Sequence, residues 1–254
     1  MPFLTAIIAG LLIGVVVGAL GAGGGILSVP VLTYVLGQSP HDAAAGSLVI
    51  VALTALVSLR APAKEGRVRW REGAVFGALS VVGAAIGGRV SVGLDGLLLM
   101  RLFCAMLLAT GIVMLVKGLR AMRVSGSPET EAHRRGLPAI IAAATFTGFL
   151  TGFFGVGGGF IVVPMLVLAL GFSMKEASGT SLLVMIFASA AGLISRVGTS
   201  VSVDWSIVLI FAVASMCGGL LGAPITRRVS SNALTISFGI LLLAVATASF
   251  IPTL

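Results

Sequence analysis

Two copies of one apolar motif, each interrupted by a cluster of glycines, constrain this chain more than any other feature. Residues 18–48, GALGAGGGILSVPVLTYVLGQSPHDAAAGSL, align with residues 152–182, GFFGVGGGFIVVPMLVLALGFSMKEASGTSL, 134 positions later and with 14 identities in 31. A proline, Pro30 or Pro164, follows the last glycine of each cluster by five positions. The chain is therefore predicted to be a duplicated unit whose apolar helix is broken at the same place in each copy.

The residues around these motifs are far more apolar than those of a soluble domain. The chain has 58% hydrophobic and 9% charged residues and a mean hydropathy of +1.18, and several of its apolar runs approach the roughly 20 residues that span a bilayer. We predict an all-α polytopic membrane protein with 8 to 10 membrane segments. The predicted segments are 3–20, 26–36, 43–60, 73–92 and 97–116, then 138–154, 159–170, 178–195, 206–223 and 232–251.

The loop charges favour five segments per copy. Five cations each in residues 60–71 and 117–136 place both loops in the cytoplasm by the positive-inside rule. The corresponding second-copy loop, near 196–205, carries the single cation Arg196. This reversal predicts two inverted repeats, 1–120 and 138–254, joined by a cytoplasmic linker at 121–137. The alternative is a parallel repeat with four segments per copy.

A break in a membrane helix requires a physical reason, because an unpaired backbone N–H or C=O in hydrocarbon costs several kcal/mol. Such backbone is tolerated where it is buried in protein or lines a water-filled cavity, and two related breaks suggest one shared cavity, as in secondary transporters. The predicted substrate-binding residues are the glycines of the two breaks and the hydroxyls near them: Gly21, Gly23, Gly24, Gly25, Ser28 and Ser47, then Gly155, Gly157, Gly158, Gly159, Thr180 and Ser181.

The chemistry of these residues favours an anion as the solute. Free N–H groups where the short helices restart, at Ile26 and Phe160, form a positive helix end. All eight acids lie at segment ends or in loops, whereas carriers of cations and protons commonly place carboxylates within their spans. Arg89 and Arg196, near segment ends, are weaker candidates for attracting the anion.

Other kinds of site and partner are not predicted. The net charge of +8 comes from cations clustered in loops beside apolar segments, which fits membrane lipids and topology rather than nucleic acid. The glycine clusters fit no nucleotide motif, because Ile26 and Phe160 stand where a GxGxxG frame needs glycine. No metal site or other cofactor is predicted. The sequence shows no nucleophile paired with a base, so it does not indicate an enzyme.

Four elements recur in order in both halves and carry a family resemblance. They are the breaks GALGAGGGILSVPVL and GFFGVGGGFIVVPML, the helix starts AAAGSL and ASGTSL, the stretches RVRW and SVDW, and the helices GAAIGG and GGLLGA. In this combination the chain resembles the sulfite exporter TauE/SafE family over essentially its whole length. The resemblance implies a permease of the plasma (inner) membrane that moves small anions such as sulfite or organosulfonates. The alternatives are a structural or accessory membrane subunit and, with less support, a membrane-embedded enzyme.

Overall fold

The computed structural model describes residues 2–20, 25–123, 137–199, 201 and 203–250. These residues form helices and no strands. Seven helices are long and apolar enough to cross a membrane, and shorter apolar helices cover 25–35, 140–154 and 159–169. The prediction of an all-α, multi-pass membrane protein is confirmed. The helices are α1 (Pro2–Leu20), α2 (Gly25–Pro30), α3 (Pro40–Ser58), α4 (Arg60–Lys64), α5 (Trp70–Val92), α6 (Gly96–Arg123), α7 (Leu137–Phe154), α8 (Gly159–Ala169), α9 (Met174–Ile194), α10 (Trp205–Arg228) and α11 (Ser231–Phe250).

Helices α3 and α9 begin a turn earlier than predicted, because polar caps extend them beyond their apolar runs. The Ser39 hydroxyl accepts a hydrogen bond from the backbone N–H of Asp42 at 3.2 Å. Ser173 and Glu176 form a reciprocal capping box at the start of α9. Helix α4 and the charged last turns of α6, up to Arg123, were likewise missing from the prediction, which followed hydrophobicity alone.

The short helices that follow the breaks are confirmed. Helix α8 has 11 residues, a length of about 16 Å at 1.5 Å per residue, and so it falls well short of a bilayer core of about 30 Å. Helix α2 has six residues and passes at Pro30 into a π-helical turn, Val31–Val35. Pro30 has no N–H to donate in the α-helical pattern, although the equivalent Pro164 lies inside the continuous helix α8.

Each half lends one helix to a tight pair with the other half. Helix α1 packs along α10 and α7 packs along α5, while α3 meets α9 and α6 meets α11. The tight pairs rest on small residues: a Cβ on Gly14 would overlap the backbone of Ser215, and a Cβ on Gly148 would overlap that of Ser80. These small-residue contacts interlock the two halves.

An aromatic group fixes the place where α8 restarts. Phe160 and Phe103 are almost fully buried, and their rings meet edge to face with centroids 5.9 Å apart. Phe103 also contacts Phe154, the last residue of α7, at 5.7 Å. Helix α6 thus holds both ends of the second break in position.

Candidate functional site

The described end of the first glycine break, at Gly25, lies against the second break. Gly21, Gly23 and Gly24 fall outside the described residues, but Gly25 begins α2 and is buried. A Cβ on Gly25 would overlap the carbonyl oxygen of Val156, which stands inside the second break. The structure therefore brings the described end of the first break into backbone contact with the second.

The second break is a buried turn of residues 155–158 between α7 and α8. Gly155, Gly157 and Gly158 have φ angles of +67°, +65° and +73°, in the left-handed region that favours glycine. In the first turn of α8 the N–H groups of Ile161 and Val162 donate to the Gly158 carbonyl at 2.9 and 2.7 Å. Gly159 is the first residue of this helix, so all four predicted glycines of the second half lie together.

One face of α3 lines this turn. A Cβ on Gly155 would meet Ala44, and a Cβ on Gly157 would meet the side chain of Val51. Ser47 lies one turn after Ala44 and one before Val51, which places it on the same face. It is fully buried, and its hydroxyl has no hydrogen-bond partner within the described residues.

Ser28 is the second buried hydroxyl near the contact between the breaks. It stands one helical turn after Gly25 and is fully buried, and its oxygen also lacks a partner in the described part of the chain. Buried hydroxyls are normally hydrogen-bonded, so an unpaired one requires an explanation. Ser28 and Ser47 both have hydrogen-bonding capacity left for a ligand.

The hydroxyls predicted from the second half are already engaged. Thr180 accepts a hydrogen bond from the backbone N–H of Arg69 at 3.0 Å, which places it beside the start of α5. The Ser181 hydroxyl donates to the Ser178 carbonyl at 2.9 Å within α9. Among the predicted hydroxyls, Ser28 and Ser47 therefore keep the most open hydrogen-bonding capacity.

The charged groups near the helix ends differ in burial. Arg69 forms an ion pair with Glu176 at 2.6 Å, where α5 and α9 both begin. Arg196 is only 5% exposed, whereas Arg89 is exposed. Arg196 lies two residues beyond the spanning part of α9, and burial lowers the pKa of its guanidinium to about 10, so the side chain stays charged at neutral pH. No group of three or more His, Cys, Asp or Glu side chains that could hold a metal was found where the structure describes the chain.

Sequence reasoning missed the residues that pack against the glycine breaks through backbone or apolar contact. Val156 lies within the glycine cluster but was passed over because only the glycines and hydroxyls suggested chemistry. Ala44 and Val51 are ordinary residues of an apolar helix, and nothing in their local pattern distinguishes them. The spacing of Ala44, Ser47 and Val51 along one helix face is the signal that links them.

Comparison with known proteins agrees with this architecture. The model of the family described as "Sulfite exporter TauE/SafE" matches residues 6–249. A "Probable membrane transporter protein" of Xylella fastidiosa (strain 9a5c) is 36% identical over 244 residues, covering 92% of this chain and 90% of the relative. The "Probable membrane transporter protein YunE" of Bacillus subtilis (strain 168) is 30% identical over 272 residues, with 96% of each chain covered. No solved structure gives a significant match. With a family match over nearly its whole length and such relatives, the chain belongs to the sulfite exporter TauE/SafE family.

Proposed function

We propose that this protein is a secondary transporter that moves small anions, of the sulfite or organosulfonate kind, across the plasma membrane. The family and the printed names of the relatives support a membrane transporter. The single observation that carries the proposal is the contact of the two breaks, Gly25 against Val156, inside a helical membrane protein. Irregular backbone at such a place is expected where helices hold a solute.

Two features of the site support an anion rather than a cation. Ser28 and Ser47 can donate hydrogen bonds, and the N-terminal end of α8 adds backbone N–H groups and a positive dipole. The described acids near these helices stand at helix starts instead: Asp42 accepts within the cap of α3, and Glu176 pairs with Arg69. A negatively charged solute would therefore meet donors and no opposing carboxylate from these helices.

We further propose that the two halves have inverted orientations and alternate access to this site. His41, near the start of α3, contacts the Leu94 carbonyl, just beyond the end of α5, at 3.0 Å. Glu176, near the start of α9, instead pairs with Arg69, at the start of α5. The equivalent helices α3 and α9 thus begin at opposite ends of α5, a relation that inverted repeats require.

Flux measurement tests this function. Purified protein in liposomes would be supplied with radiolabelled sulfite or methanesulfonate, with and without an imposed proton gradient. We expect saturable flux in the wild type and a reduction of roughly tenfold in Ser47→Ala, because a hydrogen bond to a charged solute contributes about 1.5–3 kcal/mol. Stability should be unchanged, since the Ser47 hydroxyl makes no bond to lose.

Ser58→Ala is the matched control. Ser58 is also on α3, buried and without a hydrogen-bond partner in the described chain, but its hydroxyl faces Gly219 of α10. Its variant should keep wild-type flux. Absence of flux for both solutes under both gradients would contradict the proposal and favour an accessory subunit. Equal flux in Ser47→Ala and Ser58→Ala would show that the Ser47 hydroxyl does not bind the solute.

A further inference from the structure

Arg196 is a buried cation that has no acidic partner among the described residues. The ion pairs found there join Arg67 to Glu65 and Arg69 to Glu176, and neither includes Arg196. A charge that is 5% exposed in a membrane protein is expensive unless it is compensated, and such residues commonly mark solute pathways.

One nitrogen of the Arg196 guanidinium is already engaged in hydrogen bonds to other helices. Its Nη2 donates to the Gly152 carbonyl at 2.8 Å and to the Ser91 hydroxyl at 3.1 Å. The Gly152 carbonyl belongs to the last turn of α7, where carbonyls lack helical partners, so Arg196 caps this helix. Both acceptors are neutral, and they satisfy one nitrogen of the three.

The other two nitrogens remain available. Nε and Nη1 are buried and have no hydrogen-bond partner within the described residues. A guanidinium carries five N–H donors, and Nη2 supplies two of them, so three donors are unused. Three unused donors on a buried positive charge match a small anion that offers several oxygen acceptors.

The position of Arg196 connects it to the second break. Gly152 stands one helical turn before Gly155, where the break begins. Gly192 lies on α9, one turn before Arg196. It packs near Gly152 and near the side chain of Leu48, which follows Ser47 on α3. The guanidinium therefore lies beside the end of α7 that leads into the candidate site.

Helix packing does not require an arginine here, because the other half makes the same junction without one. The residue that aligns with Ser91 in the second half is Thr226, at the offset of 135 that also relates Trp70 to Trp205. The Thr226 hydroxyl donates directly to the Ala19 carbonyl at 2.5 Å, at the end of α1. A hydroxyl is enough to join these helices, so the charge of Arg196 serves another purpose.

We propose that Arg196 binds an oxyanion, of the sulfite or sulfonate class, through Nε and Nη1 at the entrance to the second break. This inference rests on the proposed transport function and names a binding residue for the transported anion. The oxygens of the bound anion would accept hydrogen bonds from the unused N–H groups of the guanidinium. The negative charge of the anion would balance the positive charge, for which the described residues supply no acidic partner.

Ligand-dependent thermal unfolding tests the site separately from transport. The full-length protein in detergent would be unfolded over a range of methanesulfonate concentrations, with ionic strength held constant by chloride. We expect the wild-type Tm to rise saturably. Arg196→Gln should lose this rise or require at least roughly tenfold more methanesulfonate. Arg60→Gln, which removes an exposed arginine just beyond the end of α3, should keep the wild-type midpoint concentration.

Arg196→Lys covers the case in which the glutamine variant does not fold. Lysine keeps the charge but lacks the planar set of donors, so we expect a folded protein with weaker methanesulfonate binding. A wild-type midpoint in either Arg196 variant, or no Tm rise in the wild type, would overturn the proposal. If methanesulfonate binding depends on Arg196 but the protein shows no flux, the binding site is upheld and the transport function is contradicted. If the protein shows flux but binding does not depend on Arg196, transport is upheld and the binding site is contradicted.

Discussion

At the scale of single residues, the glycines of the breaks answer two different physical demands. Gly25 must lack a side chain because the backbone of Val156 occupies the place of its Cβ. Gly155, Gly157 and Gly158 must adopt positive φ, which costs other residues roughly 1–2 kcal/mol. Close backbone approach and positive φ are therefore separate reasons for glycine at these positions.

Two glycines with the same backbone conformation allow these demands to be separated. Gly157 has φ +65° and would place a Cβ against Val51, whereas Gly66 has φ +67° and open space around it. We expect Gly66→Ala to lower the free energy of unfolding by about 1–2 kcal/mol through backbone strain alone. Gly157→Ala should lose about 1–3 kcal/mol more, because the core is overpacked.

Unfolding in detergent and flux in liposomes would measure both effects. Gly157→Ala should also lose flux, since a displaced Val51 moves the α3 face that carries Ser47. Equal stability of the two alanine variants would show that the contact between Gly157 and α3 is looser than the structure describes.

At the scale of helices, the tight pairs depend on which atoms meet. A Cβ on Gly148 of α7 would overlap the Ser80 carbonyl of α5, and backbone cannot move aside without separating the helices. A Cβ on Gly111 of α6 would meet only side-chain atoms of Leu243 and Leu242, at 3.0 and 3.1 Å. Side chains can adjust by a few tenths of an ångström.

The two alanine substitutions are therefore expected to differ. Gly148→Ala should destabilise the protein by about 1–3 kcal/mol, as overpacking does. Gly111→Ala should cost less than about 1 kcal/mol, because the gain in helix propensity from Gly to Ala offsets the small rearrangement. Denaturant unfolding in detergent would measure both. A larger loss for Gly111→Ala would contradict the importance of backbone contact in the pair α5–α7.

At the scale of the whole molecule, each half is incomplete without the other. Helix α1 of the first half packs on α10 of the second half, and helix α7 of the second half packs on α5 of the first. The described contacts of each helix are repeated by the equivalent helix of the other half. Neither half encloses the breaks alone, which is the arrangement that the proposed alternating access requires.

Cysteine labelling in cells tests the proposed inversion. Gly66 and Gly198 are matched positions: both are exposed, have positive φ and have no heavy atom within 4 Å of an added Cβ. In a background with Cys104 and Cys217 replaced, inverted repeats predict that an impermeant reagent labels Gly198→Cys in intact cells and Gly66→Cys only after permeabilisation. Labelling of both from the same side would instead support the parallel repeat.

The sequence by itself determined the helical class, the duplication and the two breaks. Hydrophobicity and glycine act locally, so the predicted segments 26–36 and 159–170 agree with the observed 25–35 and 159–169. The starts of α3 and α9 and the whole of α4 were missed because caps and short polar turns carry little hydrophobic signal. The division into repeats joined by a linker at 121–137 stays a prediction, since most of that linker lies outside the described residues.

Only the tertiary structure decided which predicted groups lie together and which are already engaged by other helices. Thr180 and Ser47 are both hydroxyl residues near the starts of α9 and α3, yet the Thr180 hydroxyl accepts a bond from the backbone N–H of Arg69, whereas the Ser47 hydroxyl has no partner in the described chain. Arg89 and Arg196 both stand near segment ends, yet only Arg196 is buried beside α7. Partner, burial and direction depend on helices that are distant in sequence, and no local pattern specifies which of them will meet.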